Sequence, residues 1–416
     1  MAAQVGIDRT ADLPLLSEEM RYVARQPILD LQARVHGYEL LFRNAPQAVF
    51  QGNSEPGVET ILDNQVIFGL ERLTNGLPAF VTCTAEALTE GWVLVLVPTM
   101  TVLCLPAALE LSPKLLSACE SLKTRGFRFL LDDFGWGVKP HPLLHLADYI
   151  REDFRRFRTG DGEQLLQRLQ SSVTLVAQKV ETVEDRLQAK AMGFTLFQGD
   201  YFCQPVLLKK RKIAANRFAH LELVRVLYRE PLDTKKASDL VRRDTSLTYR
   251  LLRLVNSPIY GIYCEVRSIE AAITILGEET FRRIVLLAVL SEMNVEQPPV
   301  ILRTALVRAR FCELAACERG LDAGEQYLLG MLSLLPAMLG VAMEEIVPML
   351  PLRGPICEAL AGTMNPERNL LAWLEFHEHG DWKACDMIVA VQGLNPSRLL
   401  ECYLEALIWA EQPAAV

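Results

Sequence analysis

Phe129-Leu130-Leu131-Asp132-Asp133-Phe134-Gly135-Trp136-Gly137 decides how the first half of this 416-residue chain is read. The apolar triplet reads as a buried strand and the glycines as the turn after it, so two adjacent carboxylates fall where the strand ends. Such a pair is costly inside a core but well placed to hold a divalent cation. The same two side chains also suit a loop cap that accepts backbone N–H bonds at a strand-to-helix turn.

Working outward, short β-rich runs alternate with helical stretches from Arg21 to about Pro205. The predicted strands are Tyr22 to Ile28, Phe80 to Cys83, Trp92 to Val97, Thr101 to Leu105, Phe127 to Leu131, Tyr149 to Arg151, Thr174 to Gln178 and Leu196 to Gln198. Predicted helices between them include Glu59 to Leu73, Ser112 to Thr124 and Gly162 to Ser171. This alternation reads as a parallel sheet, and enough repeats close it into a barrel with its chemistry at the C-terminal strand ends.

After the basic run Lys209 to Lys212 the pattern turns helical, with Leu247, Leu251, Leu254 and Val255 recurring at helical spacing. Ser268 is the expected cap of a helix over Ile269 to Leu276, Gly277 its stop, and Pro258 the close of the helix before it. The expected organisation is a flexible lead-in over 1–20, a barrel over 21–206, a basic linker over 207–215 and a helical domain over 216–412.

Bulk properties narrow the function. The longest aliphatic run, Ile284 to Leu290, is far short of the roughly 20 residues of a spanning helix. The start of the chain lacks the features of a secretion signal. The ten cysteines form no Cys-x-x-Cys pair, which points to reduced, packed thiols and a cytoplasmic setting. A net charge of −8 argues against generic nucleic-acid adhesion.

Four stretches, in order, resemble the signatures of EAL domains. They are Tyr38-Glu39-Leu40-Leu41-Phe42-Arg43, Asp132-Asp133-Phe134-Gly135-Trp136-Gly137, Val180-Glu181-Thr182, and Phe197-Gln198-Gly199-Asp200-Tyr201-Phe202. The resemblance implies a modified TIM-type (β/α) barrel related to enzymes that hydrolyse cyclic di-GMP with Mg²⁺ or Mn²⁺. By that resemblance Glu39, Asp132 and Asp133 stand at metal-binding carboxylates. Thr82 stands where the family has an asparagine ligand, and Cys104 where it has a glutamate. Arg151 replaces the lysine beside the attacking water. Gln178, in Gln178-Lys179-Val180-Glu181, replaces the general base of the family's Glu-Gly-Val-Glu motif. Arg43, Glu181 and Gln198 remain as loop or nucleotide support, and Glu39 with Arg43 also reads as an ion pair across the barrel mouth.

A thiol is a poor ligand for a hard cation, and an amide cannot take a proton from water at neutral pH. The resemblance therefore implies a degenerate barrel that needs no cofactor and keeps at most weak Mg²⁺ or Mn²⁺ binding. His36, His141 and His145 are expected on surfaces or loops rather than as replacement ligands.

The helical half, with Val241-Arg242-Arg243-Asp244, Leu251-Leu252-Arg253-Leu254-Val255-Asn256-Ser257 and Ile269 to Gly277, resembles the HDOD domain, a relative of the HD phosphohydrolases. Where that relative keeps a His-Asp pair this chain has Ser333-Leu334, and His377 and His379 are expected on an exposed helix end or loop. The two resemblances together imply a non-catalytic bacterial signalling protein: a protein partner on the HDOD half, cyclic di-GMP as a ligand the barrel can sense, and a homodimer. No membrane is expected. Two alternatives stay open. One is an active phosphodiesterase in which Glu181 stands in for Gln178. The other is a DNA-binding helix-turn-helix over Asp239 to Asn256, its second helix starting at Asp244 or Ser246 and carrying Arg250 and Arg253.

Overall fold

The computed structural model describes residues 22–43, 70–106, 109–132, 142–157, 173–202, 215–228, 232–256, 266, 268–294, 297–350 and 352–411. The expected lead-in and linker, the helix over Gly162 to Ser171, most of that over Glu59 to Leu73, and Asp133, His141 and Pro258 lie outside these residues, as does the side chain of Arg43.

Eight strands form a closed barrel in chain order: β1 (Tyr22–Leu29), β2 (Val35–Arg43), β3 (Ala79–Thr82), β4 (Thr101–Pro106), β5 (Arg128–Asp132), β6 (Tyr149–Asp153), β7 (Thr174–Gln178) and β8 (Leu196–Gln198). Neighbouring ladders run parallel from β2 to β5 and from β6 to β8, while β1 lies antiparallel to β8 through Ile28↔Gln198 and Leu29↔Phe197. Strands such as Val102-Leu103-Cys104-Leu105 are buried on both faces. That is why they read as unbroken apolar runs rather than as alternation.

Two expectations need correction. Trp92 to Val97 is no strand: Trp92–Val95 is a 3₁₀ turn, entered from Gly91 at φ 76° and followed by Pro98. Its β-branched residues satisfy a propensity, but a left-handed glycine before the run and a proline after it leave no room for a ladder. The second correction is β2, a strand not predicted as one, in which His36, Gly37 and Glu39 break the apolar pattern.

Helices of eight or more residues are numbered here. In the barrel half α1 (Pro113–Thr124) is capped by Ser112, whose side chain accepts from the Leu115 N–H, and α2 (Val183–Ala191) starts with a Thr182–Asp185 capping box. The helical half contains α3 (Ala215–Leu227), α4 (Thr234–Arg242), α5 (Thr245–Val255), α6 (Ile269–Leu276), α7 (Glu278–Met293), α8 (Pro299–Ala315), α9 (Ala323–Leu332), α10 (Arg368–Glu378), α11 (Trp382–Gln392) and α12 (Pro396–Ala410). Ser268 caps α6 and Gly277 ends it, as expected.

The core of this half lies around α7, α8, α9 and α10, whose centres are buried on nearly every face. The aliphatic run from Ile284 to Leu290 is thus an interior helix segment. Among the described residues no single helix is long and apolar enough to cross a membrane, although the bent pair Ala323–Leu339 and Met343–Met349 passes that test by composition.

By compactness the chain divides into Met1–Gln26 with Tyr38–Asp148, and Pro27–Gly37 with Tyr149–Val416. The first unit holds β3 to β5, and the second holds β6 to β8 with the helices α2 to α12.

Candidate functional site at the strand ends

Register decides which strand-end side chains share a face. In the first unit Glu39 pairs with Phe80, Thr82 with Cys104, and Pro106 with Asp132. Thr82 lies two residues beyond Phe80, and Pro106 two beyond Cys104. Because strand side chains alternate, Glu39, Thr82, Cys104 and Asp132 therefore lie on one face. Glu39 is buried, and Cys104 is wholly so, with its Sγ–H directed at the Val102 carbonyl 3.8 Å away. Next to it Cys83 donates to the Val81 carbonyl at 3.3 Å, and burial pushes its thiol far up from the usual range.

The second unit gives the same test. Arg151 pairs with Val176, Asp153 with Gln178, and Val176 with Leu196 two residues before Gln198. Arg151, Asp153, Gln178 and Gln198 therefore share a face. Contact agrees with register, since the buried Arg151 donates from Nη1 to Gln198 Oε1 at 3.1 Å. Glu181 is held in an ion pair by Arg155.

The turn after β7 is tied closely to β8. Val180 N–H donates to the Gln198 carbonyl at 3.0 Å, and the Val180 carbonyl accepts from Tyr201 N–H at 3.2 Å. Gly199, at φ 144°, leaves no room for a Cβ, which would stand 2.1 Å from the Val180 oxygen. The glycine in Phe197-Gln198-Gly199 is therefore required by a close backbone approach.

Two residues here escaped the sequence reading. Asp153, the last residue of β6, is buried, and Lys179 holds it through a 2.8 Å contact from Nζ to Oδ2. Lys179 itself sits in the left-handed region at φ 58°. The signal that could have found it was the glycine at this position in the motif the stretch resembles.

Among the described residues, to which Asp133 does not belong, the two faces supply few oxygen donors for a Mg²⁺ or Mn²⁺ pair. Such ions take a near-octahedral shell of oxygens, and a two-metal site needs several carboxylates. Among the described residues no group of three or more His, Cys, Asp or Glu side chains is placed to hold a metal ion. The face in the first unit offers Glu39 and Asp132 beside a hydroxyl and a buried thiol, and the face in the second offers two amides and a carboxylate already bound to an ammonium.

In the helical half, the place of interest is Ser333. Arg308 of α8, only 6% exposed, donates to Glu375 at 3.2 Å, to Glu378 at 2.7 Å and to Ser333 Oγ at 3.5 Å. A guanidinium thus sits beside Ser333. His377 corrects an expectation, being fully buried rather than at an exposed end. It stacks on Trp373 at 4.8 Å and meets Trp382 and Tyr403 edge-on at 5.2 and 4.7 Å. His379 is exposed as expected, and its Nε2 lies 2.5 Å from Asp200 Oδ2. The hydrogen bond to Asp200 is the largest cause raising its pKa to about 9, against the opposing effect of desolvation.

His36 is half-buried against the Tyr149 hydroxyl at 3.3 Å, while His145 is exposed. Asp244 does start α5, and Leu247, Leu251 and Val255 are buried as core residues. Arg250 is engaged by Glu292 at 2.6 Å and by Ser291 at 3.1 Å. Asn256 does more than end α5: its amide clamps Val266, donating to the carbonyl at 2.9 Å and accepting from the N–H at 2.8 Å. The eight described cysteines are all free thiols, six of them buried, so packing accounts for most.

Residues 219–344 match the HDOD domain family. The closed eight-stranded barrel thus precedes a region that matches the HDOD family. Over nearly the whole length it is similar to the protein YuxH of Bacillus subtilis (strain 168), with 29% identity over 93% of this chain and 97% of that one. It is also similar to the cyclic di-GMP phosphodiesterase CdgJ of Vibrio cholerae, with 28% identity over 94% of this chain and 92% of CdgJ. Among solved structures, BlrP1 of Klebsiella pneumoniae in its calcium and cyclic di-GMP complex matches with TM-score 0.35 and 21% identity. That match covers 43% of this chain and 54% of BlrP1, so the chain spans about half of that structure's length.

Proposed function

We propose that this EAL-HDOD chain is a non-catalytic protein of cyclic di-GMP signalling, acting through a protein partner on its HDOD domain and a barrel that no longer cleaves. The observation that carries this reading is Gln178 at the end of β7, on one face with Arg151 and Gln198. An amide at the base position cannot accept the proton of an attacking water, and loss of a general base alone costs roughly 10²–10⁴-fold in rate. Thr82 and Cys104, adjacent in register, put a hydroxyl and a thiol on the first unit's face where the resembled family has an amide oxygen and a carboxylate. No metal is required by this reading, and a homodimer and a cytoplasmic setting belong to it as expectations.

Cyclic di-GMP comes to this chain through the motifs its barrel resembles and through CdgJ. Binding without cleavage is compatible with the positive charge kept by Arg151 in place of a lysine and with the retained Gln198. Isothermal titration of the full chain with cyclic di-GMP, with and without Mg²⁺, separates a sensor from a docking platform. Product analysis after incubation with Mg²⁺ or Mn²⁺ tests the reading itself: linear dinucleotide formed at an enzymatic rate sinks it.

A second reading, an active phosphodiesterase, is favoured by the similarity to CdgJ over 94% of this chain. It needs a substitute base, and Glu181 is the nearest candidate in sequence. The ion pair between Glu181 and Arg155 weighs against that role, because a carboxylate held by a guanidinium is a weaker proton acceptor.

A further inference from the structure

Lys179 carries two features that a solvent-facing lysine does not need. Its backbone is left-handed at φ 58°, a conformation that strains an L-residue with a Cβ and costs glycine almost nothing. Its ammonium is directed onto Asp153, 2.8 Å away, whose side chain is 7% exposed against 51% for the lysine. The other oxygen of Asp153 accepts the Arg155 N–H at 3.1 Å. Asp153 and Gln178 are register partners, so this pair stands at the strand end on the face that also presents Arg151 and Gln198.

We propose that Lys179 is a built-in counter-cation, whose ammonium takes the place a divalent ion would take beside Asp153 and holds this half of the strand ends in a metal-free state. This rests on the reading of the barrel as non-catalytic, and it adds a cause. A buried carboxylate needs a positive partner. An ion and an ammonium compete for the same oxygen, and a lysine tethered by one backbone position is always present at high local concentration. The consequence is an order of reversion. A carboxylate restored at position 178 would stand next to Lys179 and be neutralised by it, so restoring ligands alone does not restore the site.

The test is Mn²⁺ titration of the full chain, read by loss of the free-ion electron paramagnetic resonance signal. The variants are Cys104→Glu with Gln178→Glu, the same pair with Lys179→Gly, and the same pair with Lys179→Asn, which tolerates the left-handed region without charge. Both triple variants are expected to bind Mn²⁺ at least about tenfold more tightly than the double variant, a difference of about 1.4 kcal/mol. Equal affinity of double and triple variants overturns the proposal. The asparagine variant keeps the test alive if the glycine variant misfolds. Turnover of cyclic di-GMP by the unmodified chain is a separate result: it removes the non-catalytic reading and leaves the Mn²⁺ order to be judged by itself.

Discussion

Arg308 in the helical half and Lys179 at the strand ends each hold carboxylates, and they do so in opposite ways. Arg308 is 6% exposed and bonds to two glutamates and a serine from helical positions with ordinary backbone. Lys179 is half-exposed, pairs with one buried aspartate, and stands on a strained backbone position. The planar guanidinium forks between Glu375 and Glu378 in a buried place, whereas the ammonium is a single point charge at the strand ends. The difference teaches that a carboxylate can be neutralised by a buried cation on ordinary backbone in one place and by a half-exposed cation on a left-handed residue in another.

The sharpest way to break this comparison is Arg308→Ala. It leaves Glu375 and Glu378 near each other, relieved in part by the pair between Arg368 and Glu375. Removal of one partner from a buried cluster of this kind costs about 3–5 kcal/mol. Urea unfolding followed by circular dichroism is expected to show a loss of that order, and Arg308→Lys is expected to recover only part of it. A loss under about 1 kcal/mol would place Arg308 with the surface ion pairs instead.

Two glycines test the backbone on each side. A Cβ at Gly199 would stand 2.1 Å from the Val180 oxygen, and one at Gly330 of α9 would stand 2.4 Å from the Arg308 oxygen. Both neighbours are backbone and cannot rotate away, so each alanine substitution is expected to cost about 1–3 kcal/mol. Thermal melting measures the loss. Gly199→Ala is also expected to disturb the turn that carries Lys179 and Glu181, while Gly330→Ala separates α8 from α9. If Gly199→Ala melts as the unmodified chain does, the tie between Val180 and β8 is looser than the distances imply.

At the strand ends themselves the expected effects are smaller. Lys179→Ala keeps the left-handed strain and loses the ion pair, and is expected to lower stability by about 1 kcal/mol. Lys179→Gly loses the pair but also the strain, so its melting midpoint is expected to lie above that of the alanine variant. The reverse order would show that φ at this position relaxes without penalty.

What was legible follows from where the signal is stored. Strands β4, β5 and β7 could be read because burial on both faces writes a continuous apolar run into a few consecutive residues. Glu39, Thr82, Cys104 and Asp132 were singled out from motif order alone; that they share one face is supplied by the ladder register. β2 was missed because polar residues interrupt it, and Trp92–Val95 was misread because its side chains favour strands while its flanking residues forbid one. His377 was misplaced because His377-Glu378-His379-Gly380 looks polar locally. Its packing comes from Trp373 one turn back and from Trp382 and Tyr403 on later helices. The pair of Asp153 and Lys179 joins β6 to the turn after β7, and no local pattern encodes a contact between two strands.

The smallest expected effect comes from the pair in which both partners are well exposed. His379 at the end of α10 meets Asp200 just after β8, with side chains 42% and 38% exposed. The hydrogen bond to Asp200 raises the histidine from 6.5 to about 9, with further support from the Glu375 carbonyl and the nearby Glu378 and with desolvation acting against it. A histidine raised in the folded state contributes stability that is fully present below the unfolded value of 6.5 and is lost as pH rises through about 9. Exposure limits that contribution to about 1 kcal/mol or less, and salt should weaken it further. Melting midpoints of the unmodified chain and of His379→Gln are therefore expected to differ at neutral pH and to converge above about pH 9.5. A difference that persists unchanged into that alkaline range would mean that His379 acts there by packing rather than by charge, and the series of three ion pairs would lose its weakest member.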